Sequence, residues 1–134
     1  MKSLGAALLL LFGLVTAAPA QQSVVVPATT AQVAIAGTIA ASTKIVSGIS
    51  GKSIYVTALL LAPVATSVVT LTAGTGTNCG TNTTSITGAM TFAAGQAIAH
   101  GSGNGAIFVI PQGYDLCITI ATAAAPGSLA YSLF

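Results

Sequence analysis

From residue 43 onward, short runs rich in Val, Ile, Leu and Thr alternate with breaks that contain Gly or Pro. The breaks recur at roughly 8–12 residue intervals, the spacing of strands in a sandwich or barrel. Within the runs, apolar and polar positions alternate with period two, which places successive side chains on opposite faces of a strand. The pattern predicts strands over residues 43–47, 53–62, 67–73, 85–92, 96–100, 106–110, 114–122 and 128–134. Turn-forming residues stand between them: Gly48 and Gly51, Pro63, the glycine run 74–80, Gly95, the glycine run 101–105, residues 111–113 and Pro126-Gly127. The predicted fold is all-β, an antiparallel two-sheet sandwich, jelly-roll-like, of about eight strands.

The alternation also assigns faces. In the strand from Tyr114, the side chains of Leu116, Ile118 and Ile120 share one face, and those of Asp115, Cys117 and Thr119 share the other. With the Leu/Ile face as core, Cys117 points outward. In the last strand Leu129, Tyr131 and Leu133 oppose Ala130, Ser132 and Phe134. Residues 54–71 are apolar enough to invite comparison with a membrane span. Pro63 interrupts them, and Thr57, Thr66, Ser67 and Thr70 are spread through them, so a buried hairpin turning near residues 63–66 is the better expectation.

The N-terminus has a different character. Lys2 is followed by an apolar run centred on Leu8-Leu9-Leu10-Leu11, then by Ala18-Pro19-Ala20. A positive start, a short apolar stretch and a small-residue cleavage site predict a secretory signal over residues 1–20. Its alternative is an uncleaved N-terminal hydrophobic segment. Residues 21–42, with Pro27, read as an extended arm or linker carrying one or two edge strands, and residues 43–134 as the sandwich domain. No stable membrane span is expected once the signal is removed.

Charge changes the picture most. Beyond residue 20 the ionisable side chains of the usual charged types are Lys44, Lys52 and Asp115 alone. An average soluble protein is about 25% charged. High apolar content excludes disorder, so the surface must be built from Thr, Ser, Gly, Ala, Asn and Gln. Such a surface has little repulsion to keep copies apart, which predicts a homo-oligomer or a place in a larger protein assembly. It also excludes nucleic acid as a partner, because phosphate binding needs clustered Lys and Arg.

The chemical inventory excludes most catalysis. His100 is the one histidine, and Asp115 the one side-chain carboxylate. Nothing selects a serine to join them, no G-x-S-x-G elbow exists, and one acid cannot supply the carboxylate pair of a glycosidase. His100 reads as a solvent-facing strand end, and Asp115 as a residue that caps or orients the turn after Gly113. His100, Asp115 and the two cysteines lack the paired spacing of a zinc site. The glycine runs lack the endings of phosphate or dinucleotide loops and precede no predicted helix, so they supply turns. No catalytic, metal or cofactor-binding residue is expected. Cys79 and Cys117 form a disulfide if the chain is exported; in the cytoplasm they are buried free thiols.

The runs GTGTNCGT from Gly74, GSGNGAI from Gly101, GYDLC from Gly113 and GSLAYSLF from Gly127 resemble a group of small proteins of tailed phages, many from uncultured marine phages. The resemblance covers residues 43–134 and includes Cys79 and Cys117. It implies a jelly-roll-like sandwich serving as a virion component, of decoration or tail-fibre type, and no catalytic residues. The expected function is therefore a non-enzymatic structural and interaction module, in a virion or exported to the periplasm, cell surface or medium. The alternative is a secreted carbohydrate- or surface-binding module of a bacterium, with Tyr114 the one tyrosine in a loop.

Overall fold

The computed structural model describes residues 31–101 and 105–134. The expected signal over residues 1–20 and the first part of the expected arm lie outside the described residues. Ten strands are described: β1 (Ala31–Ile35), β2 (Ala40–Val46), β3 (Ile54–Leu61), β4 (Ser67–Thr75), β5 (Thr81–Ser85), β6 (Met90–Phe92), β7 (Ile98–Gly101), β8 (Phe108–Ile110), β9 (Asp115–Ala121) and β10 (Gly127–Leu133). A 3-10 turn, Thr77–Cys79, follows β4.

All pairings are antiparallel and fall into two sheets. Sheet I runs β1-β10-β3, with β7 and β8 sharing the far edge of β3. Sheet II runs β2-β9-β4, with β5 and β6 sharing the far edge of β4. If each broken edge is taken as one strand, the fold has four positions per sheet. The chain crosses between sheets at nearly every connection, which is the jelly-roll order. The all-β antiparallel sandwich expected from the periodicity is what the chain forms.

The core follows the alternation. Leu116, Ile118 and Ile120 of β9 join Val69, Leu71 and Ala73 of β4 on the inner face of sheet II. Opposite them lie Ile54, Val56, Leu59 and Leu61 of β3 and Leu129 of β10. Each such Leu or Ile contributes about 1.5–3 kcal/mol on burial. Val56 and Leu59 both reach the core although three residues apart. A bulge opposite Ala130/Tyr131 resets the alternation at Thr57, whose hydroxyl donates to the Ala130 carbonyl at 3.3 Å.

Four features differ from the sequence expectation. β3 and β4 are not a hairpin: they lie in different sheets and face each other across the core, with residues 62–66 arching between them. The strand expected over residues 85–92 is broken, because the Ile86 and Thr87 amides both donate to the Leu71 carbonyl and the Thr87 hydroxyl accepts from the Leu71 amide at 3.0 Å. A side chain there takes the place of a backbone partner. β5 (Thr81–Ser85) lies mostly in residues 81–84, for which no strand was expected, and all five of its residues are exposed, so no apolar period marks it. Finally, the sandwich begins before the expected residue 43: Ala31–Ile35 is an edge strand on β10, of the kind expected of the arm, and β2 begins at Ala40.

Candidate interaction surfaces

The outer face of sheet I reads directly from the register. One row across the strands is Ala34, Ser128, Leu60 and Ala99. The next is Gln32, Ala130, Ala58 and Gly101. A third joins Ser132, Tyr55 and Val109, and Phe134 pairs through its backbone with Ser53 beyond it. None of these side chains carries a charge. The middle row is made of small side chains, so the face is hollowed into a trough of about 340 Å3 over Ala58 and Ala130, with His100 at its margin.

On either side of the trough the face rises. Leu60 is 44% exposed, Val109 50% and Phe134 45%. The rings of Tyr55 and Phe134 meet edge to face with centroids 5.4 Å apart, which fixes the C-terminal residue on the sheet. Ser132 lies in the same row as Tyr55, is buried, and its hydroxyl has no protein partner.

The outer face of sheet II is organised by the disulfide between Cys79 and Cys117, whose Cα atoms are 6.2 Å apart. Cys117 points away from the core, as alternation requires, yet is fully buried. The 3-10 turn over it provides the cover. Asn78 and Cys79 hold that turn with positive φ, 50° and 57°. The Ser42 hydroxyl donates to the Asn78 carbonyl at 2.8 Å, and the Thr83 hydroxyl donates to the Cys79 carbonyl. The disulfide thus braces the rim of the sandwich from outside.

Asp115 belongs to this brace. One carboxylate oxygen accepts the Gly48 amide at 2.8 Å, and the other pairs with the Lys44 ammonium at 3.4 Å. The expectation that Asp115 serves its own turn is corrected: it ties the end of β2, 67 residues away, to the start of β9. Gly48 packs against the Tyr114 backbone, where a side chain would collide. The turn before Asp115 closes instead through the Tyr114 amide and the Pro111 carbonyl, 3.2 Å, with Gly113 at φ 76°.

The remaining sequence-singled residues are dispersed. His100 is exposed on β7 at the edge of sheet I, whereas Asp115 and Lys44 sit on sheet II. Among the described residues no three His, Cys, Asp or Glu side chains gather, and no helix is long and apolar enough to cross a membrane. Tyr114 is half-buried and packs against the core beside a hollow of about 240 Å3 shared with Ala73, Ile86 and Pro111.

Comparison with family models, with curated proteins and with solved structures finds no match. The trough was not anticipated from the sequence. Its signal is the run of small residues at outward positions of three neighbouring strands, visible only once the register is known.

Proposed function

We propose that this chain is a non-enzymatic structural and interaction module that works as part of a larger protein assembly, as a virion component of decoration or tail-fibre type or as an exported surface protein. One observation carries the reading: a sheet face bare of charged side chains exposes Leu60, Val109 and Phe134 around a small-residue trough. Exposed apolar patches of this kind mark contact surfaces on otherwise soluble folds. The dispersal of His100, Asp115 and Lys44 over two sheets supports a role without proton transfer. The disulfide fits maturation in an oxidising compartment. The resemblance of the Gly and Cys pattern to small phage proteins supports the virion form of the reading.

The test is immunogold labelling with an antibody raised against the chain, on purified particles and on intact producing cells. Regular labelling of either surface is expected. Label confined to the soluble contents of lysed cells would overturn the proposal.

A further inference from the structure

We propose that the outer face of sheet I binds a second copy of this chain, the two faces packing about a two-fold axis. The inference rests on the assembly reading above and names its partner. A two-fold contact uses the same patch on both copies, so the patch must complement itself. This face does. It carries a ridge, Leu60 (44% exposed), in the row beside a trough floored by Ala58 and Ala130. Turning one copy over lays each ridge in the other's trough.

Charge supports the same occupant. The face presents no Lys, Arg, Asp or Glu side chain to its own image, so pairing brings no like-charged side chains together. The polar side chains of this face are Gln32, on the edge strand, and Ser128, beside Leu60. Size is that of a weak, reversible contact. Four strands about 4.8 Å apart, with seven residues at about 3.3 Å, span roughly 19 by 23 Å. Two such faces make roughly 900 Å2 in projection, and corrugation adds to this, against the about 1,000 Å2 that a specific contact needs.

Sedimentation velocity on the full chain over a thousandfold concentration range tests this. A dimer is expected. Leu60→Lys and Ala99→Lys, both at exposed positions of one row, are each expected to weaken it at least tenfold, while Val64→Lys, exposed in the arch off the face, leaves it unchanged. Far-ultraviolet circular dichroism and a closed disulfide verify folding of each variant. Mixing Leu60→Lys with Ala58→Glu is expected to restore pairing, because the new lysine of one copy meets the new carboxylate of the other. A wild-type chain that stays monomeric throughout overturns the proposal and leaves the assembly reading to the labelling experiment. A dimer that both row variants leave intact overturns it equally.

Discussion

Gly74 lies directly beneath Cys79. A methyl group on its Cα would sit 2.8 Å from the Cys79 Cβ and 2.8 Å from the Cys79 carbonyl oxygen. The glycine is the last residue of β4 paired with β9, opposite Asp115, in a strand where glycine costs stability for want of a side chain. It is there because the 3-10 turn must touch the sheet for Cys79 to reach Cys117.

Gly74→Val should therefore lift the turn from the strand and impede disulfide closure. The expected readouts are free thiols on the purified protein and a melting temperature lower by several degrees. Gly51→Ala is the contrast: it has open space around it but a φ of 75°, so it should cost about 1 kcal/mol through backbone strain and leave both thiols oxidised.

Loss of the disulfide itself, as Cys79→Ala/Cys117→Ala, should reduce unfolding free energy by about 4 kcal/mol for a bridge spanning 38 residues. Denaturant unfolding measures this. The secondary structure should persist, since Cys79 and Cys117 lie outside the Leu/Ile core cluster.

Ser67 and Thr122 form a second linked pair. Thr122 is a β-branched residue with φ 80°, a left-handed conformation that such side chains resist. The Ser67 hydroxyl, fully buried, lies 2.9 Å from the carbonyl of Ala121 and 2.7 Å from that of Ala123, and so grips the backbone on both sides of the strained residue. Ser67→Ala should destabilise by about 1 kcal/mol, the net worth of a lost hydrogen bond. Thr122→Gly should stabilise by about 1 kcal/mol, as the strain is relieved.

Asp115 accepts one hydrogen bond and one ion pair, and the two can be separated by substitution. Asp115→Asn keeps an oxygen for the Gly48 amide and should cost under about 1 kcal/mol, because the paired Lys44 is exposed and solvent weakens the ion pair. Asp115→Ala removes the acceptor as well and should cost about 1–2 kcal/mol. Thermal melts of the two variants, compared at moderate and high salt, distinguish the contributions.

Ser132→Ala provides a check on the sheet I face. In the monomer the buried hydroxyl has no protein partner, so its removal should be neutral or stabilising by about 1 kcal/mol. Thermal melts of the variant and the wild type, compared side by side, measure this.

Periodicity alone made the architecture legible. The strand of Leu116, Ile118 and Ile120 and that of Leu129, Tyr131 and Leu133 face inward as their alternation requires, because a pleated strand has a fixed period of two. The outward aspect of Cys117 follows from the same rule. Where alternation was absent or ambiguous, the sequence was silent or misleading. Thr81–Ser85 has no apolar position and still pairs, since the edge of β4 leaves its backbone groups in need of partners. The apolar stretch through β3 and β4 is compatible with a hairpin or an arch, because both bury the same residues.

The sequence by itself determined that the strands would be short, antiparallel and closely packed, and that few ionisable groups would be available for chemistry, since composition and period are local properties. Only the tertiary structure decided which strands became neighbours. That choice brought Ala58, Ala130 and Gly101 into one row, set Leu60 beside them, and carried Asp115 to Gly48. Register joins residues far apart in the chain through backbone hydrogen bonds that are the same for every side chain, so the row they form cannot be read until the strands are paired.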